Sequence, residues 1–338
     1  MPARHRLLAV LVAVLWGGNF IAIHASLEQF PPFFTVAVRW APLALAALLL
    51  VPKPDVPWRW VLLYGLGFGV LQFAFLYWGM ASGMPAGLAS LVLQSSAPFT
   101  VVLGALLGEH LSARRGIGVL VAMLGLGLVG SQRGDVSAVW PFVLTVLGGL
   151  GWALGNLAVR RARSSHPVRL TMWMSVVPPL PMLALSLVVE GPERIGDSIA
   201  SVVSPVGAAA VAGLLYTSLV ATIVGTGIWS WLMARHPAGT VAPFSMLVPV
   251  TGLTAAWVVL GERPSAVEWV GCAVVVAGVL LTAGGGPTVR AGRHTPAVDE
   301  ASNARGDVAQ ERGKAAATSS SRSLASGSAM VTRTPSVP

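Results

Sequence analysis

The chain has 338 residues, of which 54% are hydrophobic and only 10% charged, where soluble domains carry about 25% charge; an ordinary water-soluble globule is excluded. The net charge of +9 is spread between apolar stretches rather than over one basic face, which excludes a nucleic-acid partner. A single cysteine, Cys272, excludes an intrachain disulfide and a cysteine metal cluster, and no metal or cofactor motif is present.

A hydrocarbon core of about 30 Å needs about 20 apolar residues of helix per crossing. Ten stretches meet that need: 7–25, 32–51, 59–81, 86–107, 115–131, 138–159, 168–189, 206–233, 239–260 and 266–284. The reading is an all-α, polytopic membrane protein. The first stretch follows basic residues as a signal peptide would, yet no clear small-residue cleavage site precedes a soluble domain, so it is read as retained. With the N-terminus inside, the inner connections hold Arg4, Arg6, Lys53, Arg59, Arg114, Arg115, Arg160, Arg161, Arg163, Arg169 and Arg235. The outer ones hold only Arg133, Arg194 and Arg263. That bias predicts a cytoplasmic-membrane protein with both termini in the cytoplasm. After Gly286 the chain turns to Ala, Ser, Gly, Thr, Arg and Pro, a composition that predicts a disordered cytoplasmic tail over 285–338.

An internal repeat organises the apolar part. Trp16-Gly17-Gly18-Asn19 is echoed by Trp152-Ala153-Leu154-Gly155-Asn156. The run from Gly87 through Pro98 to Gly108-Glu109 is echoed by Gly239 through Pro249 to Gly261-Glu262. This divides the chain into copies at 1–134 and 135–284, five spans each. Because five is odd, the second copy enters the membrane from the opposite side, and the expected architecture is a 5+5 inverted repeat around a midplane site.

Trp16-Gly17-Gly18-Asn19-Phe20, Arg39 in the second span, and the Pro-then-Gly-Glu ends of spans four and nine resemble the EamA family of the drug/metabolite transporter superfamily. Within it, Gln72 to Leu76, the twelve-residue block Gly83 to Gln94, Val220 to Gly225 and Val241 to Val250 are similar to the branch that exports O-acetylserine and cysteine. The resemblance covers Leu7 to Thr282 and implies efflux of small amino-acid metabolites. His110 departs from it, standing where the family carries Arg after Gly-Glu, and 94–109 is about one residue shorter.

Arg39 is the one Lys or Arg placed inside hydrocarbon, where a central Arg costs about 2.5–3.5 kcal/mol, so it faces a polar cavity or a partner. Its planar fork matches a carboxylate. The competing reading has Arg39 snorkel or satisfy helix-end carbonyls. Asn19 and Asn156 occupy matching places, suited to substrate contact or to tying helices together. Trp16 and Trp152 offer ring faces to an ammonium group, while Gln72 and Gln94 add amides at membrane depth. For gating or coupling the candidates are His24, Pro98, Pro249, Glu109 and Glu262, with Glu109 either solvated or paired with a nearby Arg such as Arg114.

The chain has no HExxH, GxSxG, paired intramembrane carboxylates or Walker-type loop, so it is not read as an enzyme or an ATP-driven pump. The expected partners are an amino-acid-like solute and the bilayer, with the chain as monomer or homodimer. Transport of another amino acid or of a drug-like cation, and a non-transporting receptor or structural role, remain the alternatives.

Overall fold

The computed structural model describes residues 1–132 and 136–283; the tail expected at 285–338 lies outside the described residues. All regular elements among them are helical. In chain order these are α1 (Ala3–Leu27), α2 (Pro32–Leu50), α3 (Trp58–Ala81), α4 (Ala86–Leu106), α5 (Ala113–Gly130) and α6 (Val136–Ala162). They continue with α7 (Pro167–Val189), α8 (Pro192–Ala200), α9 (Pro205–Arg235), α10 (Ala242–Leu260) and α11 (Ala266–Ala283). Nine of the described helices are long and apolar enough to cross a membrane; α8 is short, and α11 falls just under that length. Helix α8 was not expected, since its polar face hides its periodicity inside a connection. It is held by Ile195 and by the Gln29 amide, which donates to the Ser198 carbonyl at 2.6 Å.

Proline marks many of the starts, at the first turn of α2, α7, α8 and α9, where its missing N–H is no loss. Interior prolines act differently. Pro98 and Pro249 cannot donate to the carbonyl four residues back, and 3₁₀ turns at Leu93–Ser95 and Ala242–Met246 lie just ahead of them. Helices α3 and α9 carry a different interruption at corresponding places, the π-helical segments Gly65–Gln72 and Tyr216–Gly225.

Packing crosses between the copies. Helix α1 lies on α9 and α10, and α6 lies on α3 and α4 in the corresponding way. The remaining strong contacts join helices to their own counterparts: α2 with α7, α4 with α10, α5 with α11. Each such couple is antiparallel. Phe33 meets Glu190 while Pro52 meets Trp173; Gly87 meets Ala256 while Ser90 meets Gly252; Gly118 meets Gly278 while Gly125 meets Val275.

Lipid tails are as apolar as leucine, so these helices associate through close backbone approach rather than hydrophobic burial. A methyl added to Gly67 would lie 2.6 Å from the Gly155 nitrogen, and one added to Gly278 would lie 2.4 Å from the Ala122 nitrogen. Outside this seam the surface is apolar: Leu124, Leu180 and Val258 stand 71%, 76% and 74% exposed, which is tolerable only against lipid.

Gly278→Val should overpack the α5–α11 seam by about 1–3 kcal/mol and lower the thermal unfolding midpoint in detergent; an unchanged midpoint would show that the seam is loose. A second expectation concerns the turn between α2 and α3. Asp55 accepts from the hydroxyls of Ser164 (2.6 Å) and Ser165 and from the Ser165 amide (2.8 Å), and these bonds hold its carboxyl well below the usual carboxylate range. A depressed folded-state pKa stabilises above the unfolded value of about 3.9 and is lost as pH falls below it. Wild type should therefore lose more stability than Asp55→Asn between pH 6 and pH 3, and equal losses would remove Asp55 from the account.

Candidate functional site

Arg39, on α2, is 3% exposed and lies among three helices. Its Nη1 is 3.4 Å from the Tyr77 hydroxyl on α3, and its Nη2 donates to Thr222 Oγ1 on α9 at 3.1 Å. The guanidinium carbon stands 4.1 Å from the Phe73 ring centroid and 4.9 Å from that of Trp40. Its Nε has no protein hydrogen-bond partner, and no described carboxylate forms a salt bridge with it. The positive charge is thus buried against aromatic faces and neutral hydroxyls. Cation–π contacts offset part of the desolvation, about 2 kcal/mol or more for a desolvated pair, but supply no counter-charge. Both terminal nitrogens point at side chains of other helices.

The π segment of α9 explains how Arg39 and Trp16 come together. Within it the Thr222 hydroxyl donates to the Thr217 carbonyl five residues back, while the neighbouring Ala221 carbonyl accepts the Trp16 indole N–H from α1 at 3.0 Å. Adjacent residues of α9 therefore receive Arg39 from one side and Trp16 from the other. Asn19 follows Trp16 by one turn, half-buried, with its Oδ1 unpartnered. Ser218 ties the same segment to the Arg39 carbonyl at 2.9 Å.

On the far side, Phe68 of the α3 π segment packs edge-on against Trp40, Phe73 and Trp152, with centroids 6.4, 5.7 and 6.1 Å away. Trp152 meets the Arg39 surroundings through this ring. Gln72 closes the segment, 3% exposed with an unpartnered Oε1. Gln94 is buried in the 3₁₀ turn of α4, and Asn156 of α6 donates to Thr100 of α4 at 3.3 Å, the helix-tying role. The expected gating residues are dispersed. Pro98 and Pro249 are buried beside their turns, and Glu109 pairs with Arg160 at 2.6 Å rather than with Arg114. Glu262 accepts the Ala86 and Gly87 amides at 2.7 and 3.0 Å, and His24 faces Glu28 at 3.8 Å on the exposed end of α1.

Tyr77, Phe73 and Trp40 escaped the sequence reading. Phe73 and Tyr77 are four apart, hence on one helical face, directly after Gln72; that spacing on a span already carrying an amide was the available signal.

The division of the chain into two copies is matched by the family comparison. The model of the EamA-like transporter family matches twice, over residues 5–131 and 139–284. The chain belongs to the EamA-like transporter family. It is a multi-pass membrane protein built from two EamA repeats. Among its relatives are two proteins called "Probable amino-acid metabolite efflux pump". That of Salmonella typhimurium is 37% identical and that of Escherichia coli (strain K12) 36%, each over 288 residues, 83% of this chain and 95% of the relative. A solved crystal structure aligns at TM-score 0.53 and 21% identity over 83% of this chain and 96% of its own, which shows a shared fold alone. Among the described residues no group of three or more His, Cys, Asp or Glu is placed to hold a metal ion.

Trp16→Phe keeps the ring and removes the N–H, leaving the Ala221 carbonyl without that donor in the π segment. The expected loss is about 1 kcal/mol of stability, read as a lower unfolding midpoint in detergent. A midpoint equal to wild type would show that the carbonyl is satisfied otherwise.

Proposed function

We propose that this EamA protein is a secondary carrier that exports small amino-acid metabolites across the cytoplasmic membrane by alternating access, with Arg39 holding the solute carboxylate. The observation that carries this reading is a buried guanidinium with an unpartnered Nε and no counter-ion among the described residues. At about 4 Å and an effective dielectric near 20, a carboxylate gains about 4 kcal/mol from such a charge, whereas a cation is repelled by as much. The efflux-pump names of the relatives support the solute class, and the family resemblance narrows it to cysteine or O-acetylserine. Asn19, Trp16 and Gln72 are assigned to the rest of the solute, with Trp152, Gln94 and Asn156 farther out.

In this reading α11 is the tenth crossing. Its 18 residues span about 27 Å at 1.5 Å per residue, close to the hydrocarbon thickness, and it packs along α5 from Gly118 to Val129. Ten crossings with five per copy give an inverted repeat, which the antiparallel counterpart couples support. The excess of Lys and Arg on one set of connections supports both termini in the cytoplasm.

Purified protein in liposomes should take up labelled cysteine, O-acetylserine or threonine and exclude ethidium. At equal protein level Arg39→Ala should lower the rate at least about tenfold, the equivalent of 1.4 kcal/mol, and Arg39→Lys should restore only part of it because the fork is lost. Unchanged uptake by Arg39→Ala would remove the carboxylate role. Ethidium uptake with every carboxylated solute refused would reverse the solute class.

A further inference from the structure

Five buried side-chain atoms among the described residues have no hydrogen-bond partner, and two of them stand on consecutive residues of α2, Arg39 Nε and Trp40 Nε1. Both are N–H groups that can only donate, so no flip of the side chain turns either into an acceptor. Arg39 is 3% exposed and Trp40 1%, and a bilayer interior offers no bulk water to take the place of a partner.

Packing accounts for the Trp40 ring but not for its N–H. The ring stands edge-on to Phe68 and Phe73, with centroids 6.4 and 5.4 Å away, and lies 4.9 Å from the Arg39 guanidinium carbon. A phenylalanine would make the same kinds of contact without a polar group to bury. Trp173, the other buried tryptophan among the described residues, gives its N–H to the Pro52 carbonyl at 2.6 Å, and Trp16 gives its own to the Ala221 carbonyl at 3.0 Å. A buried donor left open loses its hydration with nothing in return, so the indole at position 40 calls for an acceptor from outside the chain. Its neighbour is a cation with no described counter-ion, and that makes an anionic acceptor the better match.

We propose that the Trp40 indole N–H is the second donor for the solute carboxylate, taking one oxygen while Arg39 Nε takes the other. The indole ring and the guanidinium carbon are close enough that hydrogen bonds of about 2.9 Å from the two oxygens of one carboxylate reach both N–H groups. Tyr77 and Thr222 already engage the terminal nitrogens of Arg39, which leaves Nε as the open part of the fork. Bonds from two side chains to one carboxylate are charge-assisted, and they fix its orientation as well as its sign. Trp40 thereby determines specificity. A carboxamide in the same place would offer one acceptor oxygen and set its NH₂ against an N–H, donor against donor.

This inference rests on the Arg39 reading above, and its test separates the two. Two variants remove the N–H: Trp40→Phe, and a chain with benzothienylalanine at position 40, which keeps both rings and puts sulfur where the N–H stood. In liposomes each should raise the half-saturating concentration for labelled cysteine and O-acetylserine about tenfold, through loss of one charge-assisted hydrogen bond, while the maximal rate changes less than about twofold. Cysteinamide should compete at least about tenfold less well than cysteine in wild type, and the benzothienyl chain should lose most of that preference. Without solute, the unfolding midpoint of the benzothienyl chain should be no lower than that of wild type, because no bond within the chain is lost. An unchanged half-saturating concentration in that chain would overturn the proposal. So would a lowered midpoint, which would mean that the N–H is satisfied within the protein. If Arg39→Ala abolishes uptake while both position-40 variants behave as wild type, the second donor fails and the carrier reading stands; if Arg39→Ala is silent as well, both fail.

Discussion

Backbone polar groups have no water to turn to inside a bilayer, so each helix must satisfy its own ladder and find partners for whatever it leaves open. Most of the architecture follows from that constraint. Ends are closed by side chains borrowed from the other copy, as Glu190 does for α2 and Glu262 for α4. Interruptions are placed where a neighbour can use the freed carbonyl, as Trp16 uses Ala221. Small residues line the seams because polar capping and backbone approach, not leucine burial, distinguish associated from separated helices in lipid.

The same constraint gives Arg39 its character. A guanidinium in this interior is tolerated because Tyr77 and Thr222 take its terminal nitrogens and Phe73 and Trp40 face its plane. None of these groups carries negative charge. The residue therefore keeps an electrostatic demand that an anionic solute can meet and that neutral packing cannot.

What could be read in advance was whatever a local pattern encodes. Apolar runs and charge gaps located the spans to within a few residues, and Arg39 stood out as a lone cation in hydrocarbon. The breaks near Pro98 and Pro249 follow from a missing N–H and were legible for that reason. Contacts between residues far apart in the chain were not. Glu262 lies 175 residues or more from the amides it caps, and Glu109 met Arg160 instead of its near neighbour Arg114. The π segments were hidden because Gly65-x-x-x-Gly69 reads as close helix packing, and nothing local says that the winding changes there. The aromatic setting of Arg39 depends on Trp40, Phe68 and Phe73 converging from two helices, a tertiary fact that spacing alone encodes weakly.

In the proposed cycle, the position of Arg39 relative to the two copies would link solute binding to motion. It sits on α2, in a couple fastened at both ends, yet its hydrogen bonds reach α3 of the first copy and α9 of the second. These carry the two π segments, the places where helical bonding is already shifted. Under that proposal, a solute carboxylate that takes the guanidinium would compete with Tyr77 and Thr222 together and so loosen one bridge between the copies while making its own. A ligand shifts an equilibrium only by its difference in affinity between the states. In the proposed cycle, that difference arises wherever α3 and α9 stand differently about Arg39 in the two states, so one buried charge serves both to select the solute and to register which end of the bundle is closed.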